Sequence, residues 1–250
     1  MGIRRISMYA TICKITLLAI SLVMSVMIVS VSGQQLEKPL NATIDFSEHN
    51  FDFGCMPKGA KVTHTYNIEN KGTDTLRIIK VTPSCGCTYA PLSKSDVGPG
   101  DSSQLDIFFD SKKFHGKITK KVSVLSNDPT DPFTEIYFSA LVDRVHPLLS
   151  ATPAVVESSL EEREKIGSSY QVKLSNTGDA PIGVDIVSSS EPYLEAKLSR
   201  ASIEPGQSID LIIKLRSTRE SQKDAWYSVT LETNDPQKQR LTIPLFLPAS

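Results

Sequence analysis

Apolar and polar residues alternate with a period of two along most of this 250-residue chain. The alternation is clear in residues 62–69 and 136–142, and it returns in segments 170–174, 182–186, 209–215, 227–231 and 241–247. A period of two is typical of β-strands with one buried face. The charged run 160–165 has no such period; it could form a turn of helix, but a solvated loop is the commoner structure for such a run. The pattern therefore predicts an all-β protein.

Three turn motifs recur at a nearly constant spacing. The segment 66–72 (YNIENKG) has a counterpart at 172–178 (VKLSNTG), and Pro99-Gly100 recurs as Pro205-Gly206, each 106 residues later. Asn127-Asp128-Pro129 recurs as Asn234-Asp235-Pro236 in the same order. Pro-Gly suits the central pair of a type II turn, and Asn-Asp-Pro caps a turn. The repeat predicts two tandem copies of one domain.

Each copy contains six or seven short strands separated by Gly, Pro and Asn turns, which is typical of an immunoglobulin-type sandwich. We therefore predict an all-β fold of two tandem immunoglobulin-like antiparallel β-sandwiches after an N-terminal signal or anchor segment. The first immunoglobulin-like domain is expected at residues 44–144 and the second at residues 153–250. The boundary falls near Arg144–Pro153, where the strand pattern gives way to prolines.

The N-terminus has the pattern of a secretory signal. Arg4, Arg5 and Lys14 precede the apolar stretch 15–31, and Ser32-Gly33 offers small residues for cleavage. An uncleaved anchor is the alternative, because about 17–20 apolar residues reach across a ~30 Å hydrocarbon core. Residues 1–34 are thus predicted to be a signal peptide or signal anchor. Both alternatives place the rest of the chain outside the cytoplasm, secreted or periplasmic, with membrane contact only through residues 15–33.

Charge and motifs exclude several function classes. Lys and Arg number 27 against 28 Asp and Glu, and the remainder after residue 34 has 24 basic and 28 acidic residues. A nucleic-acid partner is not expected from this balance. The sequence has no GxSxG elbow, no phosphate-binding glycine loop, no HExxH and no dinucleotide fingerprint. We therefore expect a protein that is not an enzyme.

The chemistry available to the chain is concentrated at Cys85-Gly86-Cys87. Two same-face strand residues lie two rises of ~3.3 Å apart, near the ~6.8 Å limit for a disulfide, and a kink at Gly86 would bring the sulfurs closer. Such a disulfide would be strained and suited to thiol exchange. Alternatively, Cys85 and Cys87 bind copper or zinc, with His64 or Cys55 as a further ligand.

A third alternative is purely structural. Cys55 would then pair with Cys85 or Cys87 and close a loop worth about 3–4 kcal/mol, or the two nearby thiols would simply be structural. Cys13 belongs to the N-terminal segment. Otherwise no cofactor is expected.

The histidines are weaker candidates. The strand phase of His64 places it on the inward face, where a histidine hydrogen-bonded to its neighbours is commoner than a metal ligand. His49, His115 and His146 lie in predicted turns or strand ends, and we expect all three to be exposed.

Several motifs together resemble a known bacterial family. They are Phe51-Asp52-Phe53-Gly54, Ser84-Cys85-Gly86-Cys87-Thr88, Pro99-Gly100, Phe109-Asp110-Ser111 and Asn127-Asp128-Pro129. Their order resembles domain of unknown function 1573 over about residues 44–143. That family is similar to the immunoglobulin-like domains of the ASPM/SPD-2/Hydin group and of major sperm protein. The resemblance implies a bacterial envelope protein with an immunoglobulin-like fold and no established reaction.

The second copy departs from this pattern, with Ser190-Glu191-Pro192-Tyr193 where the first has its cysteines. Any thiol function therefore belongs to the first domain. Tandem modules of this kind bind partners through loops or free strand edges. We predict a non-catalytic envelope protein that binds other envelope proteins or builds an assembly. The alternatives are a thiol site at Cys85 and Cys87, for copper or zinc handling or disulfide exchange, and a periplasmic chaperone.

Overall fold

The computed structural model describes residues 41–218, 224–235, 237 and 239–249, and nearly all of its regular structure is β-strand. The predicted signal or anchor segment, residues 1–34, lies outside the described residues, as does Cys13. Within the described part, no helix has the length and apolar character needed to cross a membrane. The predicted all-β, immunoglobulin-like fold is confirmed.

The first sandwich packs two sheets around one hydrophobic core. Its strands are β1 (Ile44–Phe46), β2 (Asn50–Met56), β3 (Lys61–Asn70), β4 (Leu76–Pro83), β5 (Thr88–Tyr89), β6 (Asp96–Val97), β7 (Ser102–Asp110), β8 (Gly116–Ser126) and β9 (Phe133–Val142). One sheet has the order β1-β3-β7-β5, and the other runs β2-β9-β8-β4-β6. Phe53, Tyr66, Phe109 and Phe138 are among the largest side chains buried between them.

The second sandwich has its own core and repeats this arrangement. Its elements are β10 (Leu149–Thr152), β11 (Val156–Glu157), α1 (Leu160–Glu164), β12 (Ser169–Asn176), β13 (Ile182–Ser189), β14 (Leu194–Leu198), β15 (Ser202–Ile203), β16 (Ser208–Leu215), β17 (Ala225–Thr233) and β18 (Arg240–Leu247). One sheet has the order β10-β12-β16-β14, and the other contains β15-β13-β17-β18. Leu149 in β10 belongs to the second core, although it precedes the predicted start at residue 153.

The two sandwiches share one sheet. The outer edge of β18 pairs in parallel with β2, at Leu241 and Cys55, and further along with β11. The hydroxyl of Thr242 also donates to the carbonyl oxygen of Phe53 at 2.6 Å. As a result, the second sheet of each sandwich continues into that of the other.

The repeated asparagines hold equivalent turns together. The side-chain amide of Asn70 donates to the carbonyls of Asp74 and Val97 at 2.7 and 2.8 Å. Asn176 donates in the same way to Ala180 and Ile203, at 2.7 and 2.9 Å. In both sandwiches the asparagine side-chain oxygen also accepts the N–H of the glycine two residues later. Each asparagine is buried, so these bonds satisfy groups that water cannot reach.

The Pro-Gly turns also follow the prediction. Gly100 and Gly206 have φ values of 75° and 70°, the left-handed conformation that the third position of a type II turn requires. In each turn the N–H of the following residue donates to the carbonyl three residues back, from Asp101 to Gly98 and from Gln207 to Glu204. The predicted type II turns are therefore confirmed.

Of the two alternatives for the run 160–165, the helical turn is the one that forms: it is α1, because Ser159 and Glu162 form a capping box in which each side chain accepts the other's backbone N–H. One expectation was wrong: His146, expected at the surface, is only 2% exposed. Its Nδ1 accepts the N–H groups of Leu148 and Leu149 at 3.1 and 3.0 Å, so the ring caps the start of the second sandwich.

Candidate functional site

Cys85 and Cys87 form a disulfide in the loop between β4 and β5, with their Cα atoms 5.2 Å apart. The loop is tied down at both ends, because the Ser84 N–H donates to Lys121 and the Asp110 N–H donates to the Cys87 carbonyl. Cys85 and Cys87 are half-buried residues, and Gly86 between them is exposed. The disulfide is therefore held on a fixed loop that solvent reaches.

The hydroxyl of Thr88 lies close to both sulfurs of the disulfide. Its hydroxyl oxygen lies 3.6 Å from the Cys85 sulfur and 3.7 Å from the Cys87 sulfur. A hydroxyl in this position can donate a hydrogen bond to whichever sulfur carries negative charge after reduction.

Cys55 and His64, the other two candidate ligands, do not join this pair. Cys55 is buried in β2, and it is the free cysteine of the described residues. Burial, together with the negative charge of Asp52, raises the pKa of its thiol. Cys55 consequently has the character of a buried, unreactive thiol.

His64 is buried in β3, as its strand phase predicts. Its Nε2 lies 2.9 Å from a carboxylate oxygen of Glu48, and its Nδ1 lies 3.0 Å from the hydroxyl of Ser188. Its ring stacks on Phe51 with 3.5 Å between the centroids. Both ring nitrogens are thus engaged by other side chains.

No group of three or more His, Cys, Asp or Glu side chains placed to hold a metal ion exists within the ranges that the structure describes. The predicted metal site of Cys85, Cys87, His64 and Cys55 stays a prediction. In the structure the first two sulfurs are bonded to each other, and a sulfur in a disulfide is not a thiolate ligand.

A groove of about 740 Å³ opens beside the disulfide, at the junction of the two sandwiches. Gly86 and Cys87 line one end. The outward-facing side chains of β5 and β7 form one wall, and the first residues of β17 form the other. The groove is therefore built by elements of both sandwiches, and the loop that carries the cysteines borders it.

Aromatic rings from both sandwiches line the groove. Tyr89 in β5 is 67% exposed, and its ring centroid lies 5.8 Å from that of Phe108 in β7. Trp226 in β17 lines the opposite wall and packs on Phe246 at 4.8 Å. Exposed aromatic surface of this kind is enriched where proteins bind partners.

The charged residues of the groove are mostly acidic. Asp106, Asp110 and Asp224 contribute carboxylates, and Lys61 contributes an ammonium group. Among the described residues of the lining, carboxylates therefore outnumber ammonium groups three to one. This part of the lining is consequently anionic.

Three buried hydroxyl residues, Thr63, Ser190 and Ser228, fasten the sandwiches behind this groove; we call them the hydroxyl junction. The Ser190 hydroxyl accepts the N–H of Ser228 at 2.9 Å and donates to its carbonyl at 3.2 Å. Ser228 bonds to the backbone of Thr63 in the same manner, and the hydroxyls of Thr63 and Ser190 are hydrogen-bonded to each other. The relative position of the groove walls is therefore fixed by buried hydrogen bonds.

The sequence patterns did not identify the groove or the hydroxyl junction. The position of Trp226 could have indicated the groove. In this strand the alternation places Tyr227 on the inward face, so the preceding Trp226 points outward. A tryptophan on the outward phase of a strand suggests a contact surface. Tyr89 gave no such signal, since β5 is only two residues long.

The comparisons with known proteins agree with the sequence-based resemblance. Residues 44–142 match the model of the family described as "Protein of unknown function (DUF1573)", which confirms that resemblance. No curated protein matches the chain.

Several solved structures are similar to the chain. A protein of unknown function from Porphyromonas gingivalis W83 is 14% identical, with 82% of this chain and 99% of that chain covered and a TM-score of 0.33. The YadV chaperone is 12% identical over 82% of this chain and 99% of that chain, with a TM-score of 0.32. The ASH/PapD-like domain of human CEP192 is 12% identical over 46% of this chain and 99% of that chain, with a TM-score of 0.33.

Proposed function

We propose that this protein, whose residues 44–142 match the DUF1573 family model, is a non-catalytic envelope protein that binds other proteins outside the cytoplasm. The observation that carries this proposal is the groove at the junction of the sandwiches, with its exposed aromatic wall. Aromatic side chains supply large contact areas at a low entropic cost, which is why they concentrate at protein interfaces.

The way in which the sandwiches are joined supports binding. The hydroxyl junction and the shared sheet hold the two groove walls in one arrangement. Binding of a partner then loses little conformational entropy in the site, because the site is already ordered. Two sandwiches connected only by a free linker would lack this advantage.

The extracytoplasmic location is part of the proposal and is supported by the sequence. The basic residues before position 15 and the apolar stretch 15–31 have the order of a secretory signal or anchor. The disulfide between Cys85 and Cys87 agrees with an oxidising compartment. No cofactor is part of the proposal.

Site-specific photo-crosslinking tests the binding function. In the bacterium that makes the protein, Tyr89 is replaced by the photo-reactive residue p-benzoylphenylalanine, and Phe133 is replaced in a matched control. Phe133 is 68% exposed, against 67% for Tyr89, but it lies on β9 and does not line the groove. We expect a discrete crosslinked partner in the envelope fraction from position 89 and none from position 133. Absence of a crosslink at position 89, or equal crosslinks at both positions, would refute the proposal.

Disulfide exchange is the second candidate function, and the bonded state of Cys85 and Cys87 is the observation that favours it. A partner thiolate would attack one sulfur, forming a mixed disulfide and releasing the other cysteine as a thiolate. A second thiol of the same partner, after losing its proton, would then displace the first cysteine. Two electrons pass to the protein, its two cysteines take up two protons to become thiols, and the partner leaves with a new disulfide.

Equilibration with a reduced dithiol peptide in an anaerobic buffer tests this second function. We expect the peptide to become oxidised as Cys85 and Cys87 become reduced, one disulfide for one. The Cys85→Ser variant should give no peptide disulfide, whereas Cys55→Ser should behave like the parent protein. If the Cys85→Ser variant oxidises the peptide equally well, the exchange does not occur at this pair.

A further inference from the structure

We propose that the groove binds an extended, lysine- or arginine-bearing segment of the partner protein. This inference rests on the proposed protein-binding function and specifies its site and the chemistry of its ligand. It depends on three properties of the groove, namely its charge, its aromatic walls and its open strand edge.

The carboxylates of the groove favour a positively charged ligand. Carboxylates at Asp110 and Asp224 stand on opposite walls, one on β7 and the other just before β17. Each is held in place by a backbone N–H, from Lys112 to Asp110 and from Ala249 to Asp224, both at distances of 2.8–2.9 Å. Among the described residues of the lining, these two carboxylates stand beside one cation, Lys61. A cationic side chain between these walls gains attraction from both sides.

The aromatic walls favour the same ligand. The faces of tyrosine and tryptophan rings attract ammonium and guanidinium groups, and the methylene stems of lysine and arginine pack against the rings. Tyr89 and Trp226 therefore offer the apolar contact that such a side chain needs beside the carboxylates. An acidic segment would meet like charges in the same place.

The shape favours an extended chain over a free amino acid. The order β1-β3-β7-β5 leaves β5 at the edge of its sheet, so along the described chain no further strand covers it. An edge strand provides backbone groups on which an extended segment can pair. A volume of about 740 Å³ holds more than one side chain. Cys87 at the end of the groove would then lie near the bound segment.

Titration with short peptides tests the proposal directly on the full chain. Trp226 is the only tryptophan of the sequence, so its fluorescence reports on the groove. The probe is the blocked pentapeptide acetyl-Lys-Phe-Lys-Phe-Lys-amide, the charge control is acetyl-Glu-Phe-Glu-Phe-Glu-amide, and lysine amide represents the cation alone. Calorimetry accompanies the fluorescence, so that binding without a spectral change is also detected.

We expect the lysine peptide to bind and to perturb Trp226, and its affinity to fall as salt is raised. The glutamate peptide and lysine amide should bind much more weakly. Tyr89→Ala and Asp110→Asn should each weaken binding about threefold or more, as expected for the loss of an exposed cation–π or ion contact. The asparagine side-chain oxygen can still accept the Lys112 N–H, so Asp110→Asn should fold normally.

Matched variants outside the groove complete the test. Phe133→Ala removes an equally exposed ring, and Asp45→Asn removes an exposed carboxylate of β1; both should bind the lysine peptide as the parent protein does. Equal binding of both peptides, equal binding of lysine amide, or unchanged affinity in Tyr89→Ala and Asp110→Asn would each overturn the inference.

The crosslinking and peptide experiments together separate this inference from the proposed function. If the photo-reactive residue at position 89 crosslinks to a partner in cells while the lysine peptide does not bind, the inference is wrong and the binding function stands. If the peptide binds and no crosslink forms, the groove chemistry stands and the cellular function fails.

Discussion

The hydroxyl of Ser228 in β17 forms two hydrogen bonds with the backbone of Thr63 in β3. It accepts the Thr63 N–H at 3.0 Å and donates to the Thr63 carbonyl at 2.9 Å. The first strand, β1, pairs only with residues 68–70 of β3, so it does not reach this part of the edge. The Ser228 side chain of the second sandwich therefore pairs with backbone groups of Thr63 that a neighbouring strand would otherwise bind.

We predict that Ser228→Ala destabilises the whole described unit. The substitution leaves a buried N–H and a buried carbonyl of Thr63 without this partner, which costs about 2–4 kcal/mol of unfolding free energy. Urea unfolding of the parent and variant proteins measures the loss. Ser175→Ala, which removes an exposed hydroxyl bonded to Ser208 at 2.8 Å, is the matched control and should cost less than about 0.5 kcal/mol. Equal losses in the two variants would contradict the prediction.

The strand phases were predictable, but the hydroxyl junction was not. Alternation showed that Thr63 points away from the core of its own sandwich, and the structure agrees, because the Thr63 hydroxyl is hydrogen-bonded to Ser190 of the second sandwich. Periodicity identifies the outer face of a sheet, yet it does not say what covers that face. Thr63 is buried because the second sandwich lies on it, and its partner Ser228 is 165 residues away in the sequence.

In the second sandwich, the loop at the place of the cysteines was also only partly predictable. The departure at Ser190-Glu191-Pro192-Tyr193 indicated that thiol chemistry is confined to the first sandwich. The structure shows that Ser190 contributes instead to the hydroxyl junction, and Tyr193 lines the groove. The groove itself was not predictable, because its walls come from strands far apart in sequence.

A second prediction concerns the repeated asparagines. Asn70→Leu keeps a side chain of similar size but removes two donors and an acceptor that buried backbone groups use. We expect a loss of about 3–5 kcal/mol in the free energy of unfolding, because each buried unpaired group costs about 1–3 kcal/mol. The equivalent Asn176→Leu should lose a similar amount, since Asn176 makes the same two donor bonds and accepts the equivalent glycine N–H. Asn67→Leu, at an exposed position of β3, serves as the control; a comparable loss there would show that the effect is not specific.

The third prediction is an acid dependence from Asp128. Burial alone would raise the pKa of this carboxyl, but hydrogen bonds from Ile44, Thr130 and Asp131 outweigh burial and lower it. Because the folded pKa is below the unfolded value of about 3.9, Asp128 contributes full stability above that pH and loses it as the pH falls through the folded pKa.

Unfolding experiments from pH 6 to about pH 2 test this sign, since acid linkage acts below about pH 5. Asp128→Asn should be less stable at pH 6, because its amide cannot accept every bond, and should lose less further stability on acidification. Asp235 has a pKa lowered by the same competition between burial and hydrogen bonds in the second sandwich. In the double variant with Asp235→Asn, the free energy of unfolding should therefore depend still less on pH. The same slope of unfolding free energy against pH in the parent and in both variants would contradict the prediction.

His146 should produce a second pH dependence nearer neutrality. Burial lowers the pKa of the ring, although the nearby backbone of Gln239 and the charge of Asp235 partly oppose this. The folded pKa lies below the unfolded value of about 6.5, so the stability from His146 is complete above that pH and declines as the pH falls. His146→Asn retains an oxygen that can accept the Leu148 and Leu149 N–H groups, and it does not titrate. We expect the variant to lack the decline between pH 7 and pH 5 that the parent shows in thermal unfolding; the same decline in both would be the contrary result.

The thiol count provides a fifth prediction. Of Cys55, Cys85 and Cys87, only Cys55 should be alkylated when the protein is unfolded without reductant. In the native protein even Cys55 should react slowly, because burial raises its pKa and shields it. Mass spectrometry of peptides from native, unfolded and reduced samples measures this, with Cys55→Ser as the unlabelled control. Alkylation of Cys85 or Cys87 without reductant would contradict the disulfide.

The shared sheet also limits how the chain can be divided. The edge of β18 that contacts β2 is covered only while both sandwiches are present, at Leu241 and Cys55. A fragment containing either half alone would present a bare strand edge to solvent, and bare edges recruit strands from other molecules. The two halves that look like interchangeable copies in the sequence are therefore one inseparable unit for expression, truncation and domain swapping.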